Sequence, residues 1–251
     1  GADRPHAPDR HGQGLCPHFA GHYDDFLSEA DAVMVTARHG DNHLKYAYKY
    51  IEKGIPVWID KPITANEADA AALAALAKKH RAPICGGSSL VHTDEIKRLS
   101  AYVKENRADV LGGHVTAPVN LENDYGGFWF YSQHLVQMIT AVFGIDVKSV
   151  TAKRENNSVR AVYRYEDFCV TAFFGTGYTA SVYKSGYDAV SCNIHLGDDY
   201  FLPELNDFYQ MIQTGRGIAD FREFIAPVIL IGATKRAFEE NRETAVTIPE
   251  V

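Results

Sequence analysis

Three short apolar runs, each separated from the next by one helix-length segment, restrict the early part of this chain to a parallel sheet. Ala32-Val33-Met34-Val35-Thr36-Ala37 is almost continuously apolar, the pattern of a strand covered on both faces. The next segment carries Leu44, Ala47, Tyr48 and Ile51 at helical spacing, and Gly54 follows as its C-terminal stop. Ile55-Pro56-Val57-Trp58-Ile59 reads as a second buried strand. Thr64-Ala65-Asn66-Glu67 then reads as a capping box, opening a helix with Ala70, Leu73, Ala74 and Ala77 on one face. Pro83-Ile84-Cys85-Gly86-Gly87 is a third strand, and Thr93 is placed to cap the helix after it. Strands alternating with helices of this length give parallel pairing through right-handed crossovers. Residues 31–88 are therefore expected to form half of a doubly wound α/β sheet.

Beyond that point the period changes. Strand-like segments cluster at residues 113–119, 147–153, 159–165, 168–174, 178–183 and 190–196. Glu166-Asp167 and Gly175-Thr176-Gly177 between them suit hairpin loops. Helical patterns span residues 128–143, 202–214 and 221–241. The expected architecture is α/β plus α+β, with residues 1–88 as one domain and 89–251 as a second built on a large, mostly antiparallel sheet.

Composition narrows the function classes. The formal net charge is -7 and no basic run stands out, so a nucleic-acid footprint is not expected; Lys153-Arg154 reads as an exposed strand end. The longest apolar run, residues 225–233, is too short to span a bilayer and is broken by Pro227 and Gly232. No charged-then-apolar leader opens the sequence, and Cys16, Cys85, Cys169 and Cys192 lack paired spacing. These features suit a cytoplasmic protein with buried thiols. His6, His11, Cys16, His18 and His22 at the start could ligate zinc, but their spacing matches no usual structural site, and no metal is expected.

Trp58-Ile59-Asp60-Lys61-Pro62 is the sharpest feature. A lysine at the carboxyl end of a parallel strand stands where open α/β sheets bind ligands. The proline behind it biases Lys61 away from helical backbone. A strand-end surface lysine is the plainer reading of the same residues. Further on, Gly126-Gly127 precedes a helix carrying Tyr131 and His134 three apart, on one side. The plainer reading there is a core histidine.

The stretch Gly54-Ile55-Pro56-Val57-Trp58-Ile59-Asp60-Lys61-Pro62-Ile63-Thr64 resembles the "aGkhVxxEKPla" segment of the Gfo/Idh/MocA oxidoreductases, with Asp60 in place of the usual glutamate. His43 matches that family's histidine at the start of the preceding helix. Gly126-Gly127-Phe128-Trp129-Phe130-Tyr131-Ser132-Gln133-His134 is similar to its "GGxLxDxGxH" helix, with Phe130 where the aspartate is usual. The resemblance implies hydride transfer between NAD or NADP and a sugar, polyol or related small molecule. It implies Lys61, His134 and Tyr131 as catalytic residues. Arg38, His39, His43, Asp60, Lys61 and Pro62 would lie at the cofactor. Where the family has an "NyRfxP"-like stretch this chain reads Gly87-Ser88-Ser89-Leu90-Val91-His92, so Ser88, Ser89 and His92 are candidate substrate contacts or a solvated loop.

Histidine, with an ordinary pKa of about 6.5, is suited to take the hydroxyl proton, and a lysine ammonium to hydrogen-bond the oxygen. A desolvated Lys61 could share the base role.

No GxGxxG occurs in the sequence, and Gly12-Gln13-Gly14 lacks a flanking strand and helix. By resemblance, the unit with the pyrophosphate loop is expected upstream of residue 1. The alternative is a sugar-binding or regulatory relative that has abandoned the cofactor. A homodimer or homotetramer through the second sheet is also implied.

Overall fold

The computed structural model describes residues 21–251; His6, His11, Cys16 and His18 lie outside the described residues. All three early apolar runs are strands: β1 (Val33–Val35), β2 (Val57–Asp60) and β3 (Ile84–Gly87). They pair in parallel in the order β1-β2-β3, with Val35 opposite Ile59 and Ile59 opposite Gly86. The crossovers are α1 (His43–Glu52) and α2 (Glu67–His80). Their apolar stripes, Ala47 and Ile51 on α1 and Ala70, Leu73, Ala74 and Ala77 on α2, join Val57, Ile59 and Ile84 in one core. Trp58 points to the other face and packs with Phe208 and Met211.

Two caps differ from the sequence reading. Helix α2 is capped by Asn66, whose side chain accepts the Asp69 N–H at 2.8 Å, whereas Thr64 donates to the Asn66 carbonyl at 2.7 Å. Asn66 wins because its carboxamide also donates to the Asp69 carboxylate at 2.7 Å. Thr93 makes no capping bond to the helix α3 (Asp94–Glu105) that it precedes; its hydroxyl donates backwards to the Leu90 carbonyl at 2.8 Å.

The second sheet holds β4 (Val110–Pro118), β5 (Ser149–Glu155), β6 (Ser158–Arg164), β7 (Cys169–Gly175), β8 (Thr179–Lys184), β9 (Asp188–Asn193) and the short β10 (Thr244–Ala245). Its order is β10-β5-β6-β7-β4-β8-β9, antiparallel throughout except for the parallel pair β4–β7. Alternation is clean: Val159, Ala161 and Tyr163 are buried while Ser158, Arg160 and Arg164 are not. Cys85, Cys169 and Cys192 are half-buried rather than core thiols.

Helix α4 (Phe128–Phe143) is buried along most of its length. A helix buried this widely must be apolar nearly all round, as its sequence is. The remaining helices are α5 (Leu202–Thr214) and α6 (Phe221–Glu239). Helix α6 serves both cores. Phe224, Ile225 and Val228 join the first sheet, and Leu230, Ile231 and Ala237 join the second. No helix among the described residues is long and apolar enough to cross a membrane.

Candidate active site

The carboxyl ends of β2 and β3 face the first turns of α4, and a cavity of about 280 Å³ opens between them. Asp60, Lys61, Gly87, Ser89, Tyr131 and His134 line it, with Tyr178, Leu196, Tyr200 and Phe201 from the far side. Glycine is required where β3 ends. Gly86 has φ +127 and a Cβ there would lie 2.0 Å from the Ile59 carbonyl oxygen; Gly87 has φ +105 and its Cβ would meet Gln137 at 2.6 Å.

Lysine 61 stands one residue past β2, before a cis peptide bond to Pro62. Its Nζ lies 4.3 Å from the ring centre of Phe130 and 4.5 Å from that of Tyr131, within cation–π range of both. Burial pulls the Lys61 pKa down, the Asp60 carboxylate raises it, and the Arg38 guanidinium lowers it again. Asp60 accepts the Lys61 backbone N–H at 2.7 Å, and burial still holds its carboxyl above the usual range.

His134 sits one helical turn from Tyr131, with ring centres 5.6 Å apart. Its Nδ1 is 2.7 Å from the Ser88 hydroxyl, and the edge of Tyr178 approaches at 6.3 Å between ring centres. Burial and then the Lys61 charge pull its pKa down to about 3, so the ring is neutral over the physiological range.

Not every residue singled out in the sequence meets here. Ser89 lines the cavity, but Ser88 is fully buried beneath it against His134. His92 turns to a larger cavity of about 720 Å³ behind β3, where it pairs with Asp207 at 3.1 Å. His43 is fully buried, with Nδ1 3.1 Å from the Ile63 carbonyl and Nε2 2.7 Å from the Ala37 carbonyl. It ties the loop after β1 to the loop after β2, beside buried Pro62. His39 accepts the Asp41 N–H, and Arg38 stacks on Tyr125 at 4.9 Å and Phe130 at 5.4 Å.

Other contributors had little signal in the sequence. Gln133 accepts the Ile63 N–H at 2.7 Å and donates to Gln137 at 3.0 Å; Gln137 accepts the Ser88 N–H at 2.9 Å. Two glutamines four apart on an apolar helix are the one mark of this clamp. Asn123 shapes the turn into α4 by accepting the Tyr125 N–H at 2.8 Å and the Gly127 N–H at 3.2 Å. Glu204, on the first turn of α5, is 3% exposed and accepts the Trp58 indole N–H at 3.2 Å. Burial, reinforced by Asp60, pushes its pKa up to about 7.

A parallel α/β sheet thus brings a lysine from a strand end together with a tyrosine and a histidine from α4 around one cavity. Residues 13–86 match the model of the Gfo/Idh/MocA family, described as an oxidoreductase family with an NAD-binding Rossmann fold. That match covers the three-stranded parallel sheet and stops at the end of β3. A 62-residue stretch is 39% identical to the uncharacterized oxidoreductase YhhX of Escherichia coli (strain K12), covering 24% of this chain and 18% of that relative's length. The fold extends the likeness much further. The structure of GenD2 from gentamicin A biosynthesis in complex with NAD superposes with a TM-score of 0.78 at 13% identity, covering 91% of this chain and 82% of that one. A putative myo-inositol dehydrogenase from Sinorhizobium meliloti 1021 superposes with a TM-score of 0.76 at 18% identity, covering 90% and 84%.

Proposed function

We propose that this chain carries the reacting centre of an NAD- or NADP-dependent oxidoreductase acting on a secondary alcohol of a sugar, polyol or related small molecule. The observation that carries the reading is the meeting of Lys61, Tyr131 and His134 around one cavity at the carboxyl ends of parallel strands. The same volume suits a small substrate. On this reading residues 1–88 belong to the cofactor side and 89–251 to the substrate side, with the start of α6 returning to the first core.

The described residues fit one flank of a nicotinamide site. Arg38 has no carboxylate within ion-pair distance among them and lies exposed at the end of β1 beside Phe130, free to meet an anionic or amide group. The sequence offers no glycine-rich loop for the pyrophosphate, so these residues can supply only part of the contact surface. When bound, nicotinamide accepts or returns a hydride. The chain's own groups handle the substrate oxygen. Lys61 and His134 both reach the cavity, one to exchange the hydroxyl proton and the other to hydrogen-bond the oxygen. Tyr131 and Tyr178 offer hydroxyls to the remaining oxygens of a polyol, and their rings exclude water. The exposed face of the second sheet, with Leu111, Arg160 and Thr171, is the surface we assign to self-association; sedimentation that gives a strict monomer would count against it.

Titration calorimetry with NAD and NADP, followed by turnover assays on inositols and sugars, tests the reading. Binding of either nucleotide and a Lys61→Ala variant that stays folded but inactive are expected. Full activity in Lys61→Ala would sink it. A second reading, a sugar-binding relative without cofactor, is favoured by the lack of GxGxxG, and polyol binding without nucleotide binding would select it.

A further inference from the structure

Ser88 is fully buried, and its hydroxyl hydrogen has few places to go. The oxygen accepts the Leu90 N–H at 3.3 Å. The Ser88 backbone N–H is held by Gln137, and its carbonyl accepts from Val91. Among the described residues, His134 Nδ1 at 2.7 Å is the one partner able to accept the Ser88 O–H. The opposite arrangement, with Nδ1–H donating to Ser88, would leave a buried hydroxyl proton without an acceptor. Such a group costs more than a made bond returns.

From this geometry we propose that Ser88 donates to His134 Nδ1, so that His134 presents Nε2–H to the cavity as a hydrogen-bond donor to the substrate oxygen, while Lys61 exchanges the proton. The inference rests on the dehydrogenase reading and assigns the roles within it. It makes Ser88 a positioning residue rather than a substrate contact.

The surroundings agree. Among the described residues no carboxylate pairs with His134, although Asp60 lines the same cavity; its nearest charged and titratable neighbours are Lys61, Tyr131 and Tyr178. Burial and the Lys61 charge both oppose an imidazolium there. Lys61 meets Asp60, Arg38, Phe130 and Tyr131, and burial draws its pKa below the ordinary lysine value, the direction a proton acceptor needs. With an oxidised nicotinamide bound, oxidation would send the carbinol C–H electron pair to it as hydride. The O–H bond breaks, its proton passes to neutral Lys61 Nζ, and the C=O bond forms while His134 Nε2–H stays hydrogen-bonded to that oxygen. Reduction runs the same steps backwards from the Lys61 ammonium. A neutral histidine used as an electrophile has precedent in enzyme chemistry.

Two measurements test the roles. The first is a two-bond proton–nitrogen spectrum of the full chain labelled with nitrogen-15 histidine, with His134 assigned from a His134→Gln variant. A bare Nδ1 and a protonated Nε2 are expected across the neutral range. Ser88→Ala should mix the tautomers and Ser88→Thr should restore the wild-type pattern. In turnover, Ser88→Ala should lower kcat by about threefold to tenfold with little change in KM. A protonated Nδ1 in the wild type, or a pattern indifferent to Ser88→Ala, overturns the assignment. The second is chemical rescue with nucleotide present. Lys61→Ala should regain turnover with small primary amines, more with the more basic ones. Failure of amines there, or rescue of His134→Ala by imidazole, overturns Lys61 as the proton carrier. A wild-type protein inert toward every polyol and both nucleotides would fail the dehydrogenase reading, while the spectra would still decide the tautomer.

Discussion

Gln133 reaches from α4 to accept the backbone N–H of Ile63 at 2.7 Å, two residues beyond Lys61. That bond, with the Gln133–Gln137–Ser88 chain behind it, fastens the ends of β2 and β3 to the helix bearing Tyr131 and His134. Both the lysine and the histidine are thereby referred to one rigid element, as a precise site requires.

Breaking this clamp should cost stability and alignment together. Gln133 is fully buried, so Gln133→Leu would leave the Ile63 N–H and the Gln137 carboxamide short of partners. A loss of about 1–3 kcal/mol is expected, read as a lower denaturant midpoint with an unchanged slope. An unchanged midpoint would show that the clamp contributes nothing.

The two glycines at the end of β3 give a sharper case. Gly87→Ala would place a methyl carbon 2.6 Å from Gln137 at φ +105. Strain and displacement together should remove about 2–4 kcal/mol and loosen the same clamp. Thermal unfolding measures it. Gly215→Ala, also at positive φ but with nothing within 4 Å, should cost less, because it carries backbone strain alone.

These residues also show what could be read in advance. The β-α-β-α-β order, the carboxyl-end position of Lys61, and the shared side of Tyr131 and His134 follow from local periodicity, which the chain displays directly. Gln133 and Gln137 look like ordinary polar positions until Ile63 and Ser88 arrive from elsewhere in the chain. The family motif implies His43 at the cofactor; the structure adds that its two ring nitrogens face the carbonyls of Ala37 and Ile63, a pairing that no local pattern displays. The Ser88–Leu90 turn sends His92 behind β3, and nothing in the local pattern says to which side a helical turn will point. Tyr200 and Phe201 lie in a connection without period, so only tertiary structure brings them to the cavity.

Lys61 should weaken the fold that it serves. A lysine with its folded pKa below the unfolded value binds fewer protons folded than unfolded, so stability rises with pH through that window. Lys61→Met removes the buried charge and keeps a long side chain against Phe130 and Tyr131. Its unfolding midpoint near neutral pH is expected to equal or exceed that of the wild type while turnover disappears. A clear loss of stability would mean that the cation–π contacts outweigh desolvation.

Glu204 gives the clearest pH signature. Its folded pKa is about 7 against 4.5 for an ordinary glutamate, so between those values the folded state holds the extra proton. The stabilisation is complete below about 4.5 and is lost as pH rises through about 7. His134 works in the opposite sense: its folded pKa is about 3 against 6.5, so its contribution is complete above 6.5 and is lost as pH falls toward 3. The two slopes oppose each other between about 4.5 and 6.5, and the wild-type curve there should be flatter than either group alone would make it. Glu204→Gln separates them. Glutamine can still accept the Trp58 indole N–H through its carbonyl but cannot ionise beside Asp60. Above pH 7 the variant should be more stable than the wild type by on the order of 2 kcal/mol, with no advantage in acid. Urea midpoints measured across the pH range decide it, and a difference that does not vary with pH would mean that Glu204 is already ionised in the folded protein.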